Sequence, residues 1–261
     1  MCGFIGIVGS NITINDEKFN SALNHIYHRG PDQGAIDKGN YWLLGFRRLS
    51  IIDLSINGSQ PMHDLRNSIS IVFNGEIYNY KELRLVLKNA GYVFKSETDT
   101  EVLLNYYKYC KGNINEVLNA CNGFFSFAIL DKDNKKIIFA RDRLGVKPLY
   151  YYCNKENIIF GSEIKAIKPL INHKLEISNN AISAYLRLGF IPPWESAFND
   201  INMLQAGHWA EWSLNEKKLR IERYWTPEAN INENHYTDRE WKEILKETLI
   251  DATKIRLNAD V

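Results

Sequence analysis

Met1-Cys2-Gly3-Phe4-Ile5-Gly6-Ile7 opens the chain and carries its most informative residue. Removal of Met1 would leave Cys2 with both a thiol and a free α-amine. The α-amine has a reference pKa of about 7.7–8.0, so it acts as a base near neutral pH. A thiol with a pKa of about 8.5 needs such a base for efficient attack on a carbonyl. Cys2 is therefore a candidate N-terminal nucleophile. The alternative is a small apolar residue that opens a buried strand.

Composition and charge exclude several classes of protein. The 261 residues include 32 basic and 31 acidic side chains, a net charge of +1, which gives no indication of nucleic-acid or membrane-surface binding. The four cysteines, at positions 2, 110, 121 and 153, lack CxxC spacing and clustered histidines. This pattern predicts reduced thiols in a cytoplasmic protein and no metal site. No apolar run is long enough to span a membrane.

Hydrophobic periodicity predicts clusters of strands in hairpins, separated by a few helices. Predicted helices cover 16–28, 79–90, 98–111, 178–188 and 237–257, and predicted strands cover 4–8, 41–46, 69–73, 124–130, 136–140, 149–152, 158–160, 208–213 and 218–225. The pattern lacks strict βαβ alternation, which favours an α+β fold with antiparallel sheets. Residues 29–40, which contain glycine and proline, are predicted to be a mobile loop.

Short motifs supply candidate binding residues, each with a simpler structural alternative. Arg48, at a strand end, is suited to clamping a carboxylate by two hydrogen bonds, or it is a solvated surface residue. The Asn74 amide and the Gly75 N–H are suited to an oxyanion site, or the pair forms a turn. Asp99, in the first turn of a helix, either complements the helix dipole or binds an ammonium group. Glu101 three residues after Thr98 predicts a capping box, and Thr237 with Glu240 predicts another.

In their order and combination, these motifs closely resemble the class II glutamine amidotransferases, and within them the asparagine synthetases. The matching stretches are Cys2–Gly6, His28–Asp32, Arg48–Asp53, Asn74–Asn79, Thr98–Glu101, Arg141–Tyr151 and Ser162–Ile167. The resemblance covers residues 2–225 and implies an N-terminal-nucleophile hydrolase fold, a four-layer αββα sandwich of antiparallel sheets.

The resemblance also implies roles for individual residues. They are Cys2 as nucleophile, Asn74 and Gly75 as oxyanion hole, Arg48 for the α-carboxylate of L-glutamine, Asp99, Glu76 and the backbone of Ile52 for its α-ammonium, and Arg29 as a less specific candidate that orders the loop around the thiol. The chain would thus release ammonia and glutamate from glutamine through a Cys2 thioester, without a metal or cofactor.

The carboxyl-terminal end departs from the pattern of this family. The ATP-pyrophosphatase signature Ser-Gly-Gly-x-Asp-Ser does not occur in the 261 residues. We therefore expect a linker over 226–236, and in 237–261 the first helix of a truncated asparagine synthetase-type domain. That missing domain would use ATP and magnesium and accept the ammonia. The acceptor is expected to be aspartate, with a sugar or a peptide carboxylate as the alternative, and retention of Met1 would leave a non-catalytic binding module. The sequence does not indicate an oligomeric state.

Overall fold

The protein is represented by a computed structural model that describes residues 2–227 and 236–257. Within these ranges the chain forms twelve strands and seven α-helices. The strands are β1 (Gly3–Gly9), β2 (Gln33–Gly39), β3 (Trp42–Arg48), β4 (Met62–His63), β5 (Ile69–Ile77), β6 (Gly123–Asp131), β7 (Lys136–Arg141), β8 (Tyr150–Cys153), β9 (Asn157–Gly161), β10 (Asn202–Met203), β11 (His208–Ser213) and β12 (Lys218–Arg223). The helices are α1 (Asp16–Asn24), α2 (Tyr80–Asn89), α3 (Asp99–Tyr109), α4 (Ile114–Ala120), α5 (Ile164–Ile167), α6 (Asn179–Leu188) and α7 (Asp238–Lys254).

The strands of the described ranges form two six-stranded sheets. The first has the order β10-β8-β9-β1-β3-β2 and the second β12-β11-β7-β6-β5-β4. Neighbouring strands in both sheets pair in antiparallel register. The predicted α+β class with antiparallel sheets is confirmed.

Three hydrophobic clusters show how the sheets and helices are layered. One lies between the two sheets, where Phe4 and Phe46 of the first join Phe139 and Trp212 of the second. A second packs the first sheet against α1 and α5, and a third packs the second sheet against α2, α3 and α4. The arrangement is the predicted αββα sandwich. It explains why β1 is apolar on both faces: alternate residues of a strand point to opposite sides, and both sides are covered.

Several local predictions are wrong. Residues 33–39 of the predicted mobile loop form β2, which pairs with β3 along its whole length. Asn74 and Gly75 do not form a turn, because β5 continues through them and pairs them with Ser126 and Phe125 of β6. Helix α1 ends at Asn24, and a separate 3₁₀ turn, Tyr27–Arg29, follows it.

The predicted helix caps are partly correct. Thr237 and Glu240 form the capping box that begins α7. Thr98 accepts the N–H of Glu101 at 3.2 Å, but the Glu101 carboxylate binds the N–H groups of Lys95 and Ser96 and so does not complete a box.

The carboxyl-terminal prediction is only partly within the described residues. Helix α7 occupies most of the predicted helical range. Most of the predicted linker, residues 228–235, lies outside the described ranges. Across both described ranges, no helix has the length and apolar character needed to cross a membrane.

Candidate active site

The Cys2 thiol lies at the start of β1, against the end of β3. Its sulfur accepts the Leu49 N–H at 3.4 Å and lies 3.5 Å from the Leu49 carbonyl oxygen. Burial raises the pKa of the thiol, while the Leu49 hydrogen bond and the positive charge of Arg48 act in the opposite direction. Since burial is the largest of these influences, the thiol needs a base to become a nucleophile at neutral pH.

One cavity brings together most of the residues that the sequence nominated. It has a volume of about 130 Å³, and Cys2 lies in its wall. The other nominated residues that line it are Arg48, Ile52, Asn74, Gly75, Glu76 and Asp99. The cavity is thus formed where residues at or near the ends of β1 and β3 meet residues of β5 and the start of α3.

Arg29 acts from behind the thiol, outside the lining of this cavity. The Nε of Arg29 donates to the Cys2 carbonyl oxygen at 2.9 Å, and its Nη1 donates to Glu163 at 2.9 Å. Glu163 is in turn paired with His28 and Lys165 at 3.0 and 3.1 Å. The first residues of β1 are therefore fixed by a buried arginine that is itself held by a carboxylate.

Asn74 and Gly75 both line the cavity from β5, and Gly75 does so through its backbone because it has no side chain. Asn74 is 1% exposed, and its Nδ2 lies 3.5 Å from Ser126 Oγ, a long contact that leaves the amide available to another acceptor. At Gly75, a Cβ atom would lie 2.2 Å from the carbonyl oxygen of Phe124. Only glycine therefore permits β5 and β6 to approach so closely here.

The guanidinium of Arg48 supports the chain segment that follows β3. Its Nη1 donates to Gln33 at 3.1 Å and to the Ser55 carbonyl at 2.8 Å, and its Nη2 donates to the Ile52 carbonyl at 3.3 Å and to the Asp53 carbonyl. These contacts order residues 52–55 over the cavity. A carboxylate that binds Arg48 must replace some of them, since the terminal nitrogens of an arginine offer four N–H groups.

Two carboxyl groups give the cavity a negative wall. Burial raises the pKa of Asp99 to about 7, although the Ile77 N–H donates to its Oδ2 at 3.0 Å and stabilises the charged form. Glu76 is half-buried, its pKa is also raised by burial, and its Oε1 is buried without a hydrogen-bond partner. A buried carboxylate oxygen without a partner, on a residue that lines the cavity, is suited to a ligand that donates hydrogen bonds, such as an ammonium group.

Two of the cavity-lining groups to which the sequence assigned no role bear on the chemistry of the thiol. One is the Leu49 backbone N–H, for which no side-chain pattern gives a signal. The other is Lys147, which lines the cavity and lies within the Arg141–Tyr151 stretch that carried the resemblance. Within 2–227 and 236–257, no group of three or more His, Cys, Asp or Glu side chains is arranged to hold a metal ion.

Solved structures share the layered architecture. A glutamine phosphoribosylpyrophosphate (PRPP) amidotransferase from B. subtilis aligns with a TM-score of 0.64 and 19% identity, covering 87% of this chain and 50% of that one. A structure described as the allosteric regulatory enzyme of purine biosynthesis gives the same values. At this identity the likeness establishes the fold alone. The fold is that of the N-terminal-nucleophile class of hydrolases, and the cysteine at position 2 lines the cavity.

Within this class, the chain belongs to the family described as glutamine amidotransferase domain, which matches residues 1–225. Asparagine synthetase [glutamine-hydrolyzing] 1 of Bacillus subtilis strain 168 is 32% identical over the whole chain, which covers 41% of that protein. A Methanocaldococcus jannaschii protein named provisionally as asparagine synthetase [glutamine-hydrolyzing] 2 is 37% identical over the whole chain, with 53% of its length covered. Amidase chry2 of Gibberella zeae is 30% identical over 94% of this chain and 36% of its own. The chain thus spans about half or less of these relatives.

Proposed function

We propose that this chain hydrolyses L-glutamine to glutamate and ammonia through a thioester on Cys2. The observation that carries the proposal is the single cavity lined by the Cys2 thiol, by Asn74 and Gly75, and by two carboxyl groups. Hydrolysis of the side-chain amide of a zwitterionic amino acid requires three features: a nucleophile, hydrogen-bond donors for the oxyanion, and a binding site for the ammonium group.

The proposed reaction begins with transfer of the thiol proton to the α-amine of Cys2. The sulfur bonds to the side-chain amide carbon of glutamine, and the carbonyl oxygen becomes an oxyanion. The Asn74 amide and the Gly75 N–H stabilise that oxyanion. The C–N bond then breaks, the amine returns the proton to the leaving nitrogen, and ammonia departs. Water, deprotonated by the same amine, attacks the thioester and releases glutamate.

The charged end of glutamine is placed by residues on the opposite wall. Asp99 and Glu76, with the Ile52 carbonyl, bind the α-ammonium. Arg48 binds the α-carboxylate after exchanging part of its contacts with residues 52–55. The support for this placement is the partnerless Glu76 oxygen and the half-exposed Ile52 in the same wall.

Removal of Met1 is a requirement of this mechanism. Burial raises the pKa of the Cys2 thiol, so a nearby base is needed. The free α-amine is that base, and a retained Met1 blocks it and leaves a glutamine-binding module without turnover. Intact-mass measurement distinguishes the two states by the mass of one methionine.

The ammonia is proposed to serve an ATP-dependent amidation outside residues 1–261. Relatives named asparagine synthetases favour aspartate as the acceptor, while a relative named an amidase keeps a sugar or peptide carboxylate as the alternative. ATP and magnesium would be needed for that step, and the glutaminase reaction needs no cofactor. The four cysteines are free thiols, which agrees with the cytoplasmic compartment that we propose.

Substitution of the nucleophile tests the proposed function. We expect Cys2→Ala to abolish glutamate release from glutamine and Cys2→Ser to reduce it about a hundredfold or more, because a hydroxyl is a far weaker nucleophile than a thiolate. Cys153→Ser is the matched control, since Cys153 is a half-buried free thiol in β8, away from the cavity lining. Unchanged glutamate release by either Cys2 variant would overturn the proposal.

A further inference from the structure

A buried carboxylate fastens the loop between β7 and β8. Asp142 is 0% exposed, and its Oδ1 accepts the N–H groups of Leu144 and Val146 at 3.1 and 3.0 Å. Its Oδ2 accepts the N–H of Lys147 at 3.0 Å. Three backbone donors on one carboxylate define the path of residues 142–147, here called the Asp142 loop.

Arg141 braces the Asp142 loop from its other side. Its Nε donates to the Lys147 carbonyl at 2.8 Å, and its Nη2 donates to the Gly145 carbonyl at 2.5 Å. Gly145 has a φ of +67°, and a Cβ there would lie 3.0 Å from the guanidinium carbon of Arg141. Both the N–H and the C=O of Lys147 are therefore held by buried, charged side chains.

These contacts show that Arg141, Asp142 and Gly145 have a structural role in the loop. They involve only the backbone of Lys147 and therefore do not account for the position of its side chain. That side chain is half-buried and lines the same cavity as Cys2 and Glu76. Burial lowers the pKa of Lys147, and repulsion from Arg29 adds to this effect, while attraction to Asp142, Glu76 and Cys2 opposes it. Since attraction between two charges is mutual, an ammonium at this position also favours the ionised forms of the thiol and of Glu76.

We propose that Lys147 is a positioning residue of the glutamine site, whose ammonium stabilises the Cys2 thiolate and keeps the Glu76 carboxylate ionised for the substrate. The Asp142 loop then has a catalytic purpose, which is to hold this cation at the cavity wall. The inference rests on the proposed function of Cys2. A purely structural Lys147 would affect folding but not the pH at which the thiol becomes reactive.

Alkylation of Cys2 by iodoacetamide, followed by peptide mass spectrometry over pH 5.5–9.5, tests the proposal without requiring turnover. In Lys147→Met we expect Cys2 to be alkylated about three- to tenfold more slowly at pH 7. The curve of alkylation rate against pH should also move to higher pH, because a positive charge that stabilises the thiolate has been removed. Lys147→Arg keeps the charge and should restore the original profile. Lys174→Met is the matched control, because Lys174 is exposed and does not line the cavity.

The Cys153 peptide gives an internal reference in every sample. Unchanged alkylation at Cys153 with slowed alkylation at Cys2 supports a local charge effect, whereas equal changes at both would mean altered folding and overturn the proposal. An unaltered Cys2 profile in a folded Lys147→Met protein would also overturn it. If the unsubstituted chain with Met1 removed fails to release glutamate while the Cys2 profile still moves, the proposed function fails and the effect of Lys147 stands.

Discussion

At the scale of single residues, the buried carboxyl group of Asp99 makes stability depend on pH. Its pKa is raised to about 7 in the folded protein, and an aspartate in an unfolded chain has a pKa of about 3.9. Between these values the folded state binds more protons than the unfolded state, so the free energy of unfolding falls as pH rises. We expect Asp99→Asn, which removes this titration, to raise Tm by about 5–10 °C more at pH 8 than at pH 5, because the carboxyl group of the unfolded chain is already ionised at pH 5 and that of the folded protein ionises only near pH 7.

Thermal melts of the ligand-free protein at the two pH values check this prediction, with Asp133→Asn as an exposed control. The same Asp99→Asn protein should bind glutamine more weakly, because a neutral amide replaces the partner of the α-ammonium. An equal change in Tm at pH 5 and pH 8 would contradict the assigned pKa.

The site residues that could be predicted from the sequence are those that belong to short, recognisable motifs. Cys2, Asn74, Gly75 and Asp99 each belong to a stretch of a few residues, and all four line the cavity. Lys147 was not predicted as a site residue, because only the pairing of β6 with β7 brings the loop after Arg141 beside β5. Tertiary placement of this kind leaves no periodic signal in the chain.

At the scale of secondary-structure elements, the Asp142 loop should be more sensitive to substitution than other loops. In Asp142→Asn the side chain retains one acceptor oxygen, and its NH₂ group faces one of the backbone donors that the carboxylate accepted. We expect unfolding to be easier by about 1–3 kcal/mol, the cost of a buried hydrogen-bonding group left unsatisfied. Urea unfolding of this variant beside Asp133→Asn measures the difference, and equal midpoints for the two would show that the carboxylate does not fasten the loop.

Elements were predictable where local pattern and tertiary environment agree. The two strands of the β6–β7 hairpin are apolar almost throughout on either side of Asp-Lys-Asp-Asn, and the hairpin forms as expected. Strand β2 was not predicted from the sequence, because it is an exposed edge strand that contains glycine and charged residues and so lacks an apolar pattern. Its strand conformation results from its pairing with β3. At Asn74-Gly75, close approach of β6 overrides the usual preference of this dipeptide for a turn.

At the scale of the whole molecule, the three buried clusters lie within residues 2–227, and α7 has no buried side chain. Trp241, Leu245 and Leu249 of α7 are 52%, 59% and 58% exposed. Just beyond the helix, the Arg256 guanidinium lies 5.0 Å from the ring centres of both Tyr78 and Phe124, which line the cavity. The helix therefore contributes little to the core, while Arg256, two residues beyond its last residue, contacts aromatic rings that line the cavity.

A chain that ends after Pro227 should consequently fold as stably as the 261-residue chain, within about 1–2 kcal/mol. The loss consists mainly of the two cation–π contacts of Arg256, each worth about 0.5–1 kcal/mol at an exposed site. Binding of a hydrophobic dye should fall at the same time, because the exposed apolar side chains of α7 are removed. Urea unfolding and dye fluorescence measure both effects, and Arg256→Ala in the 261-residue chain separates the ring contact from the helix. A much larger drop in stability for the shorter chain, with Arg256→Ala unaffected, would mean that α7 is an integral part of the fold.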